Sequence, residues 1–176
     1  MITALLAHPY PRFSVITVPL LTGLKHQFPQ MDIRALYDMY PDGSIDLWAE
    51  REAISRSSLV IVAHPVFWYS VPALLKQWFD EVLAYGYAYG ENGTAIQGKG
   101  VLWLPSLGTG YREGEFPGEV EISEVEAPLK RMWTFCGAKW LDPEIVDTRH
   151  SLTAEGFSDL IERLANKIAD WESYHD

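Results

Sequence analysis

The 176-residue sequence has few of the features that mark secreted, metal-binding or membrane-spanning proteins. Its single cysteine, Cys136, excludes an internal disulfide and gives no cysteine-rich metal cluster. Its five histidines show no metal-ligand spacing. The first apolar run, residues 2–7, has no basic flank and is too short for a signal peptide or a membrane span. We therefore expect a cytoplasmic protein with no metal site.

Positive charge is also scarce, because 14 basic residues stand against 24 acidic ones and give a formal net charge of −10. This balance repels polyanions, so general nucleic-acid binding and attachment to anionic lipid by charge alone are both disfavoured. Glutamates are concentrated in residues 113–126. Such a run suits a solvated loop and helix start or, alternatively, a docking surface for a basic partner.

Several nucleotide-binding and hydrolase motifs are missing. The sequence has no Gly-x-Gly-x-x-Gly dinucleotide fingerprint and no Gly-x-Ser-x-Gly nucleophile elbow. Residues 93–100 approach a nucleotide P-loop, but Gly100 stands where a magnesium-binding hydroxyl is required. This segment also precedes a predicted strand, whereas a P-loop follows one. These three classes of enzyme are therefore not indicated.

Apolar residues make up 48% of the chain and occur as short runs that alternate with longer segments of helical periodicity. The short runs predict five strands, at residues 2–7, 31–36, 59–63, 101–104 and within 139–146. The longer segments predict a helix capped by Ser70 with Pro72 in its first turn, a last helix capped by Thr153, and helices at residues 45–56 and 125–135.

This alternation of strands and helices predicts an α/β fold. Its length fits a single domain over residues 1–176. The expected architecture is flavodoxin-like, a five-stranded parallel sheet of order 2-1-3-4-5 with helices on both faces. Ligands of such sheets bind beyond the carboxyl ends of the strands, where the predicted loops 8–17, 64–70 and 105–118 emerge together.

The first of these loops, residues 8–17, suits a phosphate. It offers the imidazole of His8, hydroxyl groups and the amides that open a helix, with Arg12 as the one fixed positive charge. We expect residues 14–16 to wrap the phosphate, Thr17 to cap the helix and Pro19 to lie in its first turn. A capped turn with a solvated His8 is the alternative.

The other two loops suit a flat ring. Phe67, Trp68 and Tyr69 follow a buried strand and are costly to leave in water unless they line a ligand or another subunit. Alternatively, Phe67 and Trp68 pack under the following helix, and His64 is more typical of a hydrogen-bonded buried imidazole than of a catalyst. Glycines at residues 105–110 let the backbone approach a ligand closely, although such turns also occur for geometric reasons.

Four segments carry a resemblance to a known family: Ala-His-Pro-Tyr-Pro at 7–11, Leu-Tyr-Asp-Met-Tyr-Pro-Asp at 36–42, His-Pro-Val-Phe-Trp-Tyr-Ser-Val-Pro-Ala-Leu-Leu-Lys-Gln-Trp-Phe-Asp at 64–80, and Gly-Tyr-Ala-Tyr-Gly at 86–90. They resemble the flavodoxin-like NAD(P)H dehydrogenase (quinone) family. The similarity is greatest to its KefF/KefG-type branch, the ancillary proteins of glutathione-regulated potassium efflux.

The resemblance implies a homodimer that binds FMN, with the phosphate at His8, Ser14 and Thr17 and the ring at residues 66–69 and 106–109. The full set of expected cofactor residues is His8, Ser14, Val15, Ile16, Thr17, Pro65, Val66, Phe67, Trp68, Tyr69, Ser106, Leu107, Gly108 and Thr109. Two features depart from the family pattern, since Thr17 stands where asparagine is usual and Ser-Leu-Gly-Thr replaces Thr-Thr-Gly-Gly at 106–109. No histidine lies between His64 and His150, so catalytic side chains stay unassigned.

The implied activity is hydride transfer from NAD(P)H to the bound flavin and then to a quinone, ancillary to a potassium-efflux transporter at the inner face of the cell membrane. Two alternatives remain. The protein is a regulatory binding subunit of that transporter with little or no turnover, or it is an electron-carrying flavodoxin, which residues 8–17 disfavour. Five large aromatic residues provide a physical reason to expect a dimer, because they are more than a small monomer readily buries and aromatic surface is enriched where subunits meet. They are Tyr85, Tyr87, Tyr89, Trp103 and Trp133.

Overall fold

A computed structural model of the chain describes residues 1–108, 121–147 and 153–174. Its strands are β1 (Ile2–Leu6), β2 (Asp32–Ala35), β3 (Leu59–Pro65), β4 (Gly100–Leu107), β5 (Lys139–Trp140) and β6 (Val146–Asp147). Its helices are α1 (Thr17–Gln27), α2 (Leu36–Met39), α3 (Leu47–Arg56), α4 (Ala73–Val82), α5 (Ile122–Phe135) and α6 (Ala154–Ser173), and a 3-10 turn spans Pro11–Phe13.

The strands form one parallel sheet in the order β2-β1-β3-β4-β5, which confirms the predicted flavodoxin-like topology. The predicted fifth strand is divided in two. Its first part, β5, pairs with Gly100 and Val101 of β4, and β6 pairs with Ser106 and Leu107 of the same strand. Pro143 lies in the interruption, where its missing N–H prevents a continuous ladder.

The helices cover both faces of the sheet, as predicted. Successive residues of the central strands point to opposite faces, so that Val60 belongs to one hydrophobic core and Ile61 to the other. Side chains of α3, α4 and α5 fill the first core. Side chains of α1 and α6 fill the second. The residues of β1, β3 and β4 are buried throughout, which explains their continuous apolar runs.

Two central strands extend beyond their predicted ends. Strand β3 continues to Pro65 and β4 to Leu107, and the two stay in register as far as the pair of Pro65 and Ser106. Each extension contains a proline, Pro65 or Pro105, which a strand tolerates best near its end. The loops that carry the predicted site are therefore shorter than expected.

Helix starts account for most of the remaining differences. Ser70 does not cap α4, because it pairs with Phe67 in a tight turn, and Pro72 occupies the cap position instead. Pro19 lies in the first turn of α1, as predicted. The prediction that Thr17 caps this helix is wrong, because Thr17 is its first residue and Ile16 occupies the cap position without a side-chain capping bond. The prediction that Thr153 caps the last helix is confirmed, since its side chain accepts from the N–H of Gly156 at 3.0 Å. Helices at residues 45–56 and 125–135 begin at Leu47 and Ile122.

The aromatic argument for a dimer is wrong for two of its five residues. Trp103 and Trp133 are completely buried within the chain's own core. Tyr87 and Tyr89 are partly buried against that core, and Tyr85 is exposed. Within the described residues, no helix combines the length and hydropathy required to span a membrane.

Candidate functional site

The three predicted loop segments meet at the carboxyl ends of β1, β3 and β4, around a cavity of about 210 Å³. The N–H of Val66 donates to the carbonyl of Ser106 at 2.9 Å and joins two of the three segments. The cavity is lined by His8, Phe13, Ser14, Val15, Ile16, Thr17, Pro65, Val66, Phe67, Ser106 and Gly108. Residues separated by up to a hundred positions in the sequence therefore share one site.

His8 is a neutral donor at this cavity. The N–H of Tyr10 donates to Nδ1 of His8 at 3.2 Å, so Nδ1 carries no proton and Nε2 does. Partial burial also lowers the pKa of His8 below its ordinary value of 6.5. Both observations favour the uncharged imidazole near neutral pH, with one N–H left to donate. The turn that the alternative interpretation expected at His8 is present, but the imidazole also lines the cavity.

Ser14 and the start of α1 present further donors. The hydroxyl oxygen of Ser14 accepts from the N–H of Val18 at 3.0 Å, which leaves the Ser14 hydroxyl proton available. No hydrogen bond within the described residues uses the N–H of Ile16 or Thr17. Free N–H groups at a helix N-terminus, together with the positive end of the helix dipole, form a site for an anion. Arg12 is exposed in the 3-10 turn and does not line the cavity.

Thr17 and Ser106 form a hydroxyl pair in the cavity wall. Thr17 Oγ1 donates to Ser106 Oγ at 3.1 Å, and both side chains are almost completely buried. Thr17 is the first residue of α1, and Ser106 lies near the end of β4. The pair therefore connects the loop predicted to hold a phosphate with the strand end predicted to approach a ring.

The aromatic residues after β3 form a two-residue hairpin turn. Phe67 and Ser70 exchange two backbone hydrogen bonds of 3.0 Å, and Trp68 and Tyr69 between them have φ angles of 49° and 59°. Positive φ at both central positions defines a type I′ turn, which Asn and Gly usually occupy. Trp68 is 92% exposed and Phe67 is 38% exposed, so the alternative that they pack under α4 is wrong.

His64 is not part of the cavity surface. It is completely buried, its Nε2 accepts from Trp103 Nε1 at 2.8 Å, and its Nδ1 lies 2.9 Å from the carbonyl of Pro65. Burial lowers the pKa of His64 to about 4. The interpretation of His64 as a hydrogen-bonded buried imidazole is confirmed.

Not every expected cofactor residue lines the cavity. Trp68, Tyr69 and Leu107 are not among its lining residues, and the Leu107 side chain is buried in the first hydrophobic core. Thr109 lies outside the described residues. Phe13, which the sequence analysis did not select, is a cavity residue. Its position one residue before Ser14 is the signal that could have identified it.

A buried carboxylate elsewhere was also missed. Glu50 of α3 is completely buried, and its Oε1 accepts from Arg34 Nη2 and from Tyr40 Oη, each at 2.6 Å. Its Oε2 accepts from Trp78 Nε1 at 2.8 Å. Burial and the bond to Glu50 raise the pKa of Tyr40 to about 12. Because every partner is a donor and the group is closed to solvent, we assign the cluster a structural role.

A larger groove, of about 930 Å³, lies away from the strand ends, between α3 and the chain around Gly86 and Tyr87. Its charged side chains are engaged. Arg51 donates to the carbonyl of Glu81 at 3.0 Å and lies over the Tyr87 ring, and Glu52 pairs with Arg56. The groove is therefore large, but the charged side chains named here already have partners within the chain. The smaller cavity, which has unused hydrogen-bond donors, is the better candidate site.

Residues 1–169 match a protein family that is described as having a flavodoxin-like fold. The chain belongs to this family. The chain is also similar to the glutathione-regulated potassium-efflux system ancillary protein KefF of Enterobacter sp. (strain 638), with 38% identity over 176 residues, which cover 100% of this chain and 99% of the relative.

Solved structures of other proteins share the architecture. General stress protein 14 of Treponema denticola, determined in complex with FMN, is 28% identical, with a TM-score of 0.81 and coverage of 98% of both chains. The NADPH-quinone reductase of P. pentosaceus is 23% identical, with a TM-score of 0.80 and coverage of 95% of this chain and 96% of that one. The second of these likenesses concerns the fold alone.

Proposed function

We propose that the chain is an FMN-dependent NAD(P)H:quinone oxidoreductase whose cofactor binds at the cavity between β1, β3 and β4. The observation that carries the proposal is the convergence of a helix N-terminus, neutral donors and exposed aromatic residues on one cavity. The FMN complex of the Treponema denticola relative supports the choice of cofactor.

The phosphate of FMN fits the donors at the start of α1. The Ser14 hydroxyl and the N–H groups of Ile16 and Thr17 are available, and His8 offers Nε2–H. None of the described lining residues is lysine or arginine, so what these residues offer the phosphate is neutral donors and the helix dipole. Neutral donors suit a chain whose net charge of −10 does not favour anions in general.

The flavin ring fits the opposite side of the cavity. A Cβ added at Gly108 would meet no described atom within 4 Å, so none of the described residues blocks a ligand beside the end of β4. The cavity of about 210 Å³ is smaller than the usual ligand pocket of roughly 300–1,000 Å³, so FMN would extend past it onto the exposed aromatic turn. We therefore retain Trp68 and Tyr69 as ring residues, although they lie outside the cavity itself.

Bound flavin supplies two-electron chemistry, so that NAD(P)H and one proton reduce a quinone to a quinol and leave NAD(P)⁺. The chain's own residues bind the cofactor, orient it and exclude water from one side. His8 is the one imidazole among the described cavity residues, and because burial lowers its pKa it is a poor acid at neutral pH. We expect the proton that completes the quinol to come from solvent.

The direct test is oxidation of NADPH and NADH by the purified protein, with added FMN and a soluble benzoquinone. We expect FMN-dependent turnover that stops when the quinone is omitted. Ser14→Ala should raise the FMN concentration required for half-maximal rate. Absence of NAD(P)H oxidation at saturating FMN would contradict the proposal.

A second candidate is a regulatory subunit of a membrane potassium-efflux transporter with little or no turnover. This role is favoured by the similarity to KefF of Enterobacter sp., which is an ancillary protein of a potassium-efflux system. Co-purification with the transporter from membranes, by a variant that does not bind FMN, would support regulation without redox turnover. Recovery of the protein entirely apart from membranes and transporter would contradict it.

We also propose that residues 1–176 act as one domain and that two copies form a homodimer. Three exposed or partly exposed aromatic residues form a continuous group, with ring centroids of Tyr85 and Tyr89 5.9 Å apart and those of Tyr89 and Phe135 5.5 Å apart. Aromatic surface of this kind is enriched where subunits meet. Light scattering at micromolar concentration should give twice the mass of one chain, and a monomer would contradict the proposal.

A further inference from the structure

The buried hydroxyl pair gives Thr17 a role other than contact with the phosphate. Thr17 is the first residue of α1, at the helix start where the phosphate is proposed to bind. Its side chain is engaged elsewhere, because Thr17 Oγ1 donates to Ser106 Oγ at 3.1 Å. Thr17 is 2% exposed and Ser106 is 7% exposed, so water does not compete freely for this bond.

The direction of this bond determines what Ser106 can do. A hydroxyl group has one proton and two lone pairs. Since Thr17 uses its proton in the bond, Ser106 Oγ acts as the acceptor and keeps its own proton. No described residue accepts that proton, while Ser106 lines the cavity. Ser106 therefore has a hydroxyl proton that it can donate to a ligand in the cavity.

We propose that Thr17 is a positioning residue that orients the Ser106 hydroxyl as a hydrogen-bond donor to an acceptor atom of the flavin ring. This inference rests on the proposed binding of FMN. Thr17 acts through Ser106 and contacts no ligand itself with its hydroxyl. Its backbone N–H stays available to the phosphate, because no hydrogen bond within the described residues uses it.

The pair also links two parts of the site mechanically. Thr17 begins α1, and Ser106 is in register with Pro65 of β3 and with Val146 of β6. A bond between them holds the helix N-terminus at a fixed distance from the strand end. Both halves of one cofactor can then be bound without reorganisation of the loops.

The test is a double-mutant cycle on FMN affinity, measured by quenching of flavin fluorescence with the purified protein. Ser106→Ala should weaken FMN binding about tenfold, which is typical of one lost buried hydrogen bond. Thr17→Val should weaken it by a similar factor in the wild-type background and by less than twofold in the Ser106→Ala background. Thr17→Ser, which retains the hydroxyl, should restore wild-type affinity.

Two further measurements separate positioning from a merely structural effect. Thr17→Val and Ser106→Ala should shift the visible absorption of bound FMN in the same direction, and Thr17→Ser should not. Ser14→Ala provides the matched control, because its hydroxyl lies in the phosphate loop and makes no bond to Ser106. Its effect on affinity should add in full to that of Ser106→Ala.

The outcomes are distinct. Additive effects of Thr17→Val and Ser106→Ala, or failure of Thr17→Ser to restore affinity, would overturn the positioning role while FMN binding by the wild type stands. A wild-type protein that does not bind FMN would overturn the proposed function and this inference together. Thermal midpoints of the cofactor-free variants within a few degrees of the wild type would show that the affinity changes arise in folded protein.

Discussion

At the scale of single residues, the buried charge of Glu50 makes a large contribution to the stability of the fold. Its carboxylate is completely buried and accepts hydrogen bonds from Arg34, Tyr40 and Trp78. These residues belong to or adjoin β2, α2 and α4, so one side chain on α3 joins three other elements. A buried charge is tolerated only with such complete pairing.

Glu50→Gln should therefore lower the free energy of unfolding by about 3 kcal/mol, because the amide turns a donor toward groups that require an acceptor and leaves Arg34 with only its 3.7 Å ion pair to Asp32. Urea unfolding measures this change. Glu52→Gln on the same helix breaks only the exposed pair with Arg56 and should change stability by less than about 0.5 kcal/mol. Equal effects of the two substitutions would refute the structural role of the cluster.

His64 makes stability depend on pH at the same scale. Burial lowers the pKa of His64 from 6.5 to about 4 in the folded protein, so below pH 6.5 the unfolded chain binds a proton that the folded protein does not. The contribution of His64 to the free energy of unfolding is therefore fully present above pH 6.5. It is lost as the pH falls toward 4, and the loss amounts to about 3 kcal/mol.

The contribution of His64 can be isolated by comparison with His64→Gln, whose amide oxygen can still accept from Trp103. The difference in unfolding free energy between wild type and variant should change between pH 6.5 and 4, since all other titrating groups are common to both. Urea unfolding at several pH values measures it. A difference that stays constant over this range would show that His64 is protonated normally in the folded state.

At the scale of elements, the turn between β3 and α4 combines strain with exposure. Trp68 and Tyr69 both have positive φ, which costs residues with a side chain roughly 1–2 kcal/mol each. The turn persists because the bonds between Phe67 and Ser70 and the packing of α4 hold its ends. Strain of this kind is more often found at binding sites than elsewhere.

Trp68→Asn should raise the free energy of unfolding by about 0.5–1 kcal/mol, because asparagine tolerates positive φ, and should weaken FMN binding by removing ring contact. Chemical denaturation and fluorescence titration measure the two effects. Trp48→Ala is the control, since it removes another exposed tryptophan from a helix and should change neither quantity appreciably. Loss of stability in Trp68→Asn, with unchanged FMN affinity, would contradict a role for this turn in binding.

The ends of β3 and β4 are features of the fold that the sequence alone did not predict correctly. Strands β3 and β4 run past the predicted ends because parallel pairing continues to Pro65 and Ser106, although Pro65 and Pro105 weaken any local strand signal. On its other side, β4 is paired by β5 at Gly100 and Val101 and by β6 only from Ser106. Pro105 falls in this gap, where it interrupts no ladder on that side. Such compensation is tertiary and has no local signature.

At the scale of the whole molecule, the strand order, the two hydrophobic cores and the meeting of three loop segments were predictable from the alternation of apolar runs and helical segments. Side-chain partners were not. Three features depend on contacts between residues that are distant in the sequence. They are the hydrogen bond from Thr17 to Ser106, the burial of Trp103 and Trp133, and the hydrogen bonds that Glu50 accepts from donors of three other elements. A single sequence contains the residues but not these pairings.

The central claim is that the start of α1 holds the phosphate of FMN while the ends of β3 and β4 approach its ring. Titration of the cofactor-free protein with FMN and with riboflavin, which lacks the phosphate, tests it most directly. Because hydrogen bonds to a charged group are each worth about 1.5–3 kcal/mol, we predict that FMN binds at least about 100-fold more tightly. Ser14→Ala should weaken the binding of FMN but leave that of riboflavin unchanged. Equal affinity for the two compounds, or no saturable quenching of either, would contradict the account.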